Sequence, residues 1–196
     1  IGAAIVDSFK AGHGQPYGGK GTSERYPGVQ FSQFTGAEMM AERWKLSREE
    51  LDSFALASHQ KAVNATEGGY FDREIVPVEG DLPNGDKEMV TVDEGIRFDA
   101  SQESLSGLNT LSEDGVLTAG TSSQICDGAA AIMLVNDEGL KKLGIKPRAK
   151  VVALALAGDD PVIMLTGPIP ASKTVLEKAS LSINDIDLYE VNEAFA

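Results

Sequence analysis

The chain has 196 residues and carries 17 Lys and Arg against 30 Asp and Glu, a formal charge of −13. This acidic balance argues against nucleic-acid binding as the main function, because a phosphate-tracking surface needs an excess of cations. Hydrophobic residues make up 42% and charged residues 24%, as is typical of a globular chain. The single cysteine, Cys126, excludes an internal disulfide, and no apolar run approaches the roughly 18 residues of a membrane-spanning helix.

The two ends predict that the chain is a piece of a longer protein. It begins without an initiator Met, and it stops in a small, apolar run at 191–196, directly after a strand-like segment. Natural C-termini are usually polar and frayed. The absence of a signal or transit peptide therefore carries no information.

Residues 1–30 are rich in glycine and proline, which predicts a loop-rich opening. The run Gly18-Gly19-Lys20-Gly21-Thr22 has the glycine content of a phosphate-binding loop. However, it lacks that motif's spacing and follows no apolar strand. A flexible surface segment is the favoured interpretation.

Two capping boxes predict the helices that follow. Thr35-Gly36-Ala37-Glu38 opens a short helix, and Ser47-Arg48-Glu49-Glu50 opens a longer one. Gly68-Gly69 ends the longer helix, because this type of C-cap requires a positive φ. Small and apolar residues recur at three-to-four spacing along one face of it: Leu51, Phe54, Ala55, Ser58, Ala62 and Ala65.

Beyond residue 70 the pattern changes to short extended pieces, Glu74–Val78 and Met89–Val92, on either side of a turn at 83–86. From residue 129 onward, predicted strands alternate with helices, which is the rhythm of an α/β fold. The first 120 residues break this rhythm and indicate an inserted or separate subdomain. The predicted buried strands are Ala129–Val135, Lys150–Ala157 and Asp187–Val191, and the intervening helices are Asn136–Leu143 and Ile169–Ala179.

Few residues in the chain are obvious candidates for catalysis. His59 lies in the middle of the long helix, where a structural role is favoured, and His13 lies in the glycine-rich opening with no partner in view. Cys126 has Asp127 as its neighbour, which disfavours a thiolate, so a small residue packed at a strand entrance is the preferred interpretation. No His/Cys cluster has metal-ligand spacing.

The last motif of the chain is the most specific one. Asn192-Glu193-Ala194-Phe195-Ala196 resembles the Asn-Glu-Ala-Phe-Ala signature of thiolases, the acetyl-CoA acetyltransferases and 3-ketoacyl-CoA thiolases. Residues 44–52, with 69–71 and 74–77, resemble the family's loop-domain helix and its exit. Residues 117–130 resemble its loop-to-strand passage, and residues 166–171 resemble its lead into the helix upstream of the signature. Because all four occur in the family's order, the chain is identified as a member from about Gln30 to Ala196.

The resemblance implies an α/β thiolase-fold fragment. It would contain an inserted α+β loop domain that covers coenzyme A, and parts of the two β-α-β-α-β-α-β-β core halves. Residues 1–125 would form the loop domain with the glycine-rich opening, and 126–146 the return to the N-terminal half. Residues 147–196 would start the C-terminal half, in agreement with the strand-helix rhythm.

The resemblance also implies an acyltransferase reaction in two steps. A reactive Cys attacks the keto carbonyl of a 3-ketoacyl-CoA, and the thiol of coenzyme A then takes the acyl group. In reverse, two acyl-CoA molecules undergo a Claisen condensation. The family's nucleophilic Cys would lie before Ile1, and its His motif after Ala196, so the chain alone is predicted to be inactive. Asn192 matches the signature Asn, which orients a water that helps to form an oxyanion hole; a capping residue is the alternative role.

Further residues match positions that contact coenzyme A in the family. A binding role for Arg97 is physically reasonable, because a polyanionic ligand needs a local guanidinium in so acidic a chain. An ordinary surface arginine paired with Asp93 or Asp99 is the alternative. Coenzyme A would be a substrate, and neither a cofactor nor a metal is predicted. The predicted coenzyme A-binding residues are Arg97, Ser104, Ala119, Ser123, Ala194 and Phe195.

Substrate and partner expectations follow from the same resemblance. Ser32-Gln33-Phe34 stands where short-chain biosynthetic members have a His-Met-Gly run, which favours a broader or longer 3-ketoacyl substrate. The full-length protein is expected to be a cytoplasmic homodimer or homotetramer, with an organellar matrix left open. The alternative function is a non-catalytic thiolase-like protein that binds acyl-CoA or lipid. A ketoacyl synthase is disfavoured, because the signature and the inserted loop domain are thiolase traits.

Overall fold

The computed structural model describes residues 10–12, 17–82 and 84–196. The chain divides into two units, Ile1–Glu42 with Val152–Ile186 and Arg43–Val151 with Asp187–Ala196. His13 and the first residue of the turn predicted at 83–86 lie outside the described residues. The functional divisions expected at 125/126 and 146/147 stay predictions.

Helices make up most of the regular structure, and a short antiparallel hairpin is the sheet that the described residues form. In chain order the elements are α1 Lys20–Arg25, α2 Gln33–Trp44, α3 Arg48–Glu67, β1 Val78–Asp81, β2 Lys87–Val90, α4 Gln102–Ser106, a 3₁₀ helix Ala119–Thr121, α5 Asp137–Leu143, α6 Pro168–Ala179 and a second 3₁₀ helix Ile183–Asp185.

The long helix α3 is capped as the sequence predicts. Ser47 Oγ accepts from the Glu50 N–H at 3.2 Å, and Glu50 Oε2 accepts from the Ser47 N–H at 2.7 Å. The backbone bond, followed by the Ser47 hydroxyl at 2.8 Å, holds the pKa of the Glu50 carboxyl below its usual value. At the other end Gly68 keeps a right-handed conformation, and the positive φ, 70°, falls on Gly69.

Arg48 joins α3 to the short helix α4 within their unit. Its Nε donates to Asp52 Oδ2 at 2.7 Å, and one of its terminal nitrogens donates to the carbonyl oxygens of Leu105 at 2.7 Å and Leu108 at 3.1 Å. Asp52 is only 1% exposed, and the Arg48 side chain 24%. The guanidinium therefore neutralises a buried carboxylate and also satisfies carbonyls at the C-terminal end of α4.

The helix before α3 begins three residues earlier than predicted. The sequence places its start in the Thr35-Gly36-Ala37-Glu38 box, whereas α2 begins at Gln33. The Ser32 carbonyl accepts from the Gly36 N–H at 2.9 Å, so the first helical hydrogen bond already spans the expected cap. Gly36 itself is buried, and it lies against the fully buried Ile163 of the same unit.

Replacing Gly36 with alanine should lower the free energy of unfolding by about 1–3 kcal/mol, because the new Cβ would overlap the backbone carbonyl of Ile163. Gly21 in α1 is the matched control, since no atom lies within 4 Å of a Cβ added there. Gly21→Ala should be neutral or stabilise by up to about 1 kcal/mol. Urea unfolding of both variants measures the difference, and equal stabilities would contradict the close packing at Gly36.

The hairpin is present, but its strands lie closer to the turn than the predicted pieces Glu74–Val78 and Met89–Val92. β1 and β2 pair from Val78 with Val90 to Asp81 with Lys87. The turn fixes this register. The Leu82 N–H donates to the Asp86 carbonyl at 2.8 Å, and Asn84 bonds to both the backbone and the carboxylate of Asp86.

The prediction of three buried strands is wrong. No ladder forms at 129–135, 150–157 or 187–191 among the described residues. Their apolar side chains are exposed: 87% for Ile132, 99% for Leu156 and 89% for Leu188. An apolar run is buried as a strand only where a neighbouring strand satisfies its backbone and another layer covers its face, and the described residues provide neither here.

The helices between these segments agree closely with prediction. Asn136 Oδ1 accepts from the Gly139 N–H at 2.9 Å to cap α5, which ends at Gly144 with φ 64°. α6 begins one residue earlier than expected, with Pro168 in its first turn, and ends at Ala179. Hydrogen bonds from Ser182, first from its backbone and then from its hydroxyl, lower the pKa of Asp185 at the second 3₁₀ helix.

Two general features of the described part of the chain bear on function. No helix within it has the length and apolar character needed to cross a membrane. Nor does this part contain a group of three or more His, Cys, Asp or Glu side chains that is arranged to hold a metal ion.

Candidate functional site

An open groove lies in the unit formed by 43–151 and 187–196. It has an empty volume of about 470 Å³, part of which is open to solvent. Three segments form its walls: the middle of α3, the 3₁₀ helix with the residues after it, and the C-terminal residues. The lining residues are Phe54, Ala55, Ser58, His59, Gly120, Thr121, Ser122, Ser123, Gln124, Glu193 and Ala196.

Backbone pairing brings the C-terminal segment to this groove. The Ser123 N–H donates to the Ala194 carbonyl at 2.8 Å, and the Ala196 N–H donates to the Thr121 carbonyl at 2.9 Å. Ser122 and Phe195 form the antiparallel bridge between these two bonds. Two segments that resemble separate thiolase motifs therefore lie side by side.

Hydrogen bonds among polar groups of the 3₁₀ helix and its two flanking residues stabilise the segment that forms this pairing. Thr118 and Thr121 are both buried. The Thr118 N–H donates to Thr121 Oγ1 at 2.9 Å, and the Ser122 hydroxyl donates to the Thr118 carbonyl at 2.8 Å. Buried hydroxyls satisfied in this way fix the loop conformation without a desolvation cost.

Arg97, a predicted coenzyme A-binding residue, is held beside the groove by two lining residues, His59 and Gln124. The Arg97 N–H donates to His59 Nδ1 at 3.2 Å, and its guanidinium donates to Gln124 Oε1 at 3.4 Å. The Gln124 amide also donates to the Gly95 carbonyl at 2.6 Å. Both ends of one amide side chain thus bind the segment that carries Arg97.

The guanidinium of Arg97 forms no ion pair with any carboxylate in the described ranges, so the alternative of pairing with Asp93 or Asp99 is wrong. Asp93 instead accepts from the Gly95 N–H at 2.8 Å and closes the local turn. Arg97 is exposed, and its charge is available to an anion.

A side-chain contact joins α3 to the signature segment. The Ser58 hydroxyl donates to Glu193 Oε2 at 2.6 Å, across 135 positions of sequence. Ser58 is half-buried on the groove side of α3, and Glu193 is exposed. The short distance is typical of a hydroxyl bound to an ionised carboxylate.

The structure brings several predicted site residues together and leaves others apart. Ser123, Ala194 and Phe195 meet in the backbone pairing, and Arg97 joins them through Gln124. Ala119 begins the 3₁₀ helix. Asn192 is exposed and lies two positions before the first paired residue, Ala194. Among the predicted site residues, Ser123 is the one in the groove lining. Ser104 takes part in none of these contacts. Its hydroxyl bonds to Ser101 within the cap of α4: it donates to the Ser101 carbonyl at 2.9 Å and accepts from the Ser101 N–H at 3.1 Å.

Sequence reasoning missed Ser58, Gln124 and Glu193 as site residues. Ser58 offers a signal in hindsight, because it is the one hydroxyl among the small and apolar residues of its helix face. Gln124 and Glu193 gave no signal of their own, since their partners are remote in sequence. Phe54, expected on the buried face, is instead exposed in the groove wall.

The architecture corresponds to a known class of fold, that of the thiolases. The crystal structure of the Bacillus anthracis acetyl-CoA acetyltransferase superposes with a TM-score of 0.80 and 40% identity over 86% of this chain and 43% of that one. The human mitochondrial 3-ketoacyl-CoA thiolase gives 0.78 and 41% identity, over 82% of this chain and 41% of that one. The chain is therefore an α/β thiolase-fold fragment.

The family model for the N-terminal domain of thiolases matches residues 29–138, and the model for the C-terminal domain matches 145–196. The chain belongs to the thiolase family. It is 45% identical to a steroid 3-ketoacyl-CoA thiolase of Mycobacterium tuberculosis, over 88% of this chain and 41% of that protein. It is 49% identical to a 3-ketoacyl-CoA thiolase of Aliivibrio fischeri, over 82% of this chain and 42% of that protein. The chain thus spans about two fifths of the length of these relatives.

Proposed function

We propose that this chain is part of a thiolase that transfers acyl groups to and from coenzyme A. The reaction is thiolytic cleavage of a 3-ketoacyl-CoA or the reverse Claisen condensation. The chain supplies part of the coenzyme A site and one oxyanion-stabilising residue, Asn192. The catalytic Cys and His belong to regions of the family pattern outside this sequence. Its acyl substrate is longer or more varied than acetoacetyl-CoA, since Ser32-Gln33-Phe34 replaces the short-chain run.

The observation that carries this proposal is the antiparallel pairing of Thr121–Ser123 with Ala194–Ala196 beside Arg97. It joins two segments that, in the family pattern, contact the same ligand. Small side chains at Ala119 and Ala194 leave room for a thin pantetheine chain, and Phe195 offers it a flat surface. Ser123 adds a hydroxyl that can bond to its amides or to the nucleotide. Ser104 stays a predicted contact, because its hydroxyl is bonded to Ser101 in this structure.

Arg97 attracts the phosphates of coenzyme A. Its guanidinium is not neutralised by a carboxylate in the described part of a chain whose net charge is −13. An exposed carboxylate partner would have to be displaced before a phosphate could bind, and no such step is needed here. His59 and Gln124 hold the Arg97 segment in place before the ligand arrives, which lowers the entropy cost of binding.

Arg97→Ala in the full-length protein should raise the KM for coenzyme A by about 10-fold to 100-fold, the range expected for the loss of a charge-assisted hydrogen bond. The value of kcat should change by less than about twofold, because the diphosphate lies far from the reacting thioester and binds equally in ground and transition states. Steady-state kinetics with varied coenzyme A measures both constants.

Arg73→Ala is the matched control, since Arg73 is another exposed arginine of the same unit and does not line the groove. It should leave both constants unchanged. An unchanged KM in Arg97→Ala would remove Arg97 from the binding site. Binding of coenzyme A without turnover by the full-length protein would favour the alternative, a non-catalytic acyl-CoA or lipid-binding protein.

Other properties follow from the family rather than from this groove. We infer that the full-length protein is a homodimer or homotetramer and needs no cofactor besides its coenzyme A substrate. The divisions at 1–125, 126–146 and 147–196 are proposed as loop domain, return to the N-terminal half and start of the C-terminal half. The cytoplasmic location predicted from the sequence stays a prediction.

A further inference from the structure

The segment that carries Asn192 is hydrogen-bonded on its C-terminal side. On its C-terminal side, the backbone of 194–196 is hydrogen-bonded to 121–123. On its N-terminal side, 187–191 forms no strand, and its apolar side chains are exposed. Directly after Asn192, the Glu193 side chain accepts the hydroxyl hydrogen of Ser58 at 2.6 Å.

This contact sets the direction in which Asn192 leaves the groove wall. Backbone bonds at Ala194 and Ala196 fix the strand-like segment, whereas no backbone hydrogen bond among the described residues restrains the φ and ψ torsions of Asn192 and Glu193. The bond from the Glu193 carboxylate to α3 restricts these torsions, because it holds the end of the Glu193 side chain. Ser58 is itself firmly held, because it lies in the middle of the 20-residue helix α3, one turn after the buried Ala55.

We propose that Glu193, through its hydrogen bond to Ser58, is a positioning residue that orients Asn192 for oxyanion stabilisation. The inference rests on the proposed function, and it deepens that function by giving a role to two residues of the groove lining, Ser58 and Glu193. An oxyanion donor must be held within a fraction of an ångström of its productive position, so a loss of restraint lowers kcat while ligand binding persists.

The chemistry of the pair defines the variants that test this role. Ser58→Ala removes the donor, and Glu193→Ala removes the acceptor. Glu193→Gln keeps an acceptor oxygen at the same reach and so should largely preserve the bond. Controls are Ser53→Ala, an exposed serine of the same helix, and Glu190→Ala, an exposed glutamate of the neighbouring segment.

In the full-length protein, Ser58→Ala and Glu193→Ala should each lower kcat about tenfold, with the KM for coenzyme A within about twofold of its original value. The double variant should be no slower than either single one, because both changes break the same bond. Glu193→Gln should retain at least about a third of kcat, and both controls should match the unchanged protein.

Unchanged kcat in Ser58→Ala, or additive losses in the double variant, would overturn the positioning role. So would a rise in KM with kcat preserved, which would assign the pair to ligand binding. Asn192→Ala, measured alongside, separates the two proposals. If it keeps full kcat, the assigned role of Asn192 fails. If it loses kcat while Ser58→Ala does not, only the present inference fails.

Discussion

Replacing Arg48 with alanine should lower the free energy of unfolding by about 3–5 kcal/mol, the cost of leaving a buried charge without its partner. Asp52 is almost fully buried, and its Oδ1 already has no partner in the described ranges, so Oδ2 depends on the Arg48 guanidinium. The substitution also strips donors from the carbonyls of Leu105 and Leu108. Urea unfolding followed by far-UV circular dichroism measures the loss.

Lys61→Ala controls for the loss of a cation from the same helix, since Lys61 is exposed. It should change stability by less than about 0.5 kcal/mol. The double variant Arg48→Met with Asp52→Leu should recover much of the stability lost in Arg48→Ala, because apolar side chains of similar size remove the unpaired charge. A loss below about 1 kcal/mol in Arg48→Ala would show that the pair is no more than a surface contact.

Local chemistry explains why the helices could be predicted from sequence. The bonds that begin α3 join Ser47 to Glu50, and those that begin α5 join Asn136 to Gly139, so each cap lies within four consecutive residues. The ends at Gly69 and Gly144 depend only on the conformational freedom of glycine. α2 deviates because the Ser32 carbonyl supplies an earlier start, which the more conspicuous Thr35 box concealed.

Strands could not be predicted in the same way, because their stability lies in partners that the local pattern does not contain. The segments at 129–135 and 150–157 have the composition of buried strands, yet they are exposed and unpaired among the described residues. The hairpin could be predicted because its turn is local, although its strands lie closer to that turn than predicted. Apolar composition therefore indicates what a segment would do beside a partner strand, and not that the partner is present.

The candidate site likewise contains residues that could be predicted from sequence and contacts that could not. Asn192, Ala194 and Phe195 are contiguous and carry a recognisable motif, so sequence identified them together. The contacts that hold them, from Ser58 to Glu193 and from Ser123 to Ala194, join positions far apart in the chain. Only the fold reveals these contacts, which is why the sequence pointed to the motif residues but not to the residues that bond to them.

Replacing Asn192 with alanine in the full-length protein should lower kcat by about 100-fold to 1,000-fold, the usual effect of removing one oxyanion-hole donor. The side chain is exposed beside the paired segment and bonds to no residue that the structure describes, so its amide is available to orient a water. Because the negative charge on the carbonyl oxygen develops only in the transition state, the KM for coenzyme A should stay within about twofold.

Asn184→Ala is the matched control for Asn192→Ala, because Asn184 is an exposed asparagine in the second 3₁₀ helix and should leave kcat unchanged. Comparing the unfolding midpoints of the two variants separates a catalytic effect from a folding defect. A capping role for Asn192, the alternative, would lower the midpoint and reduce activity only in proportion to the unfolded fraction. A large loss of kcat at an unchanged midpoint therefore supports the oxyanion role, whereas full activity would exclude it.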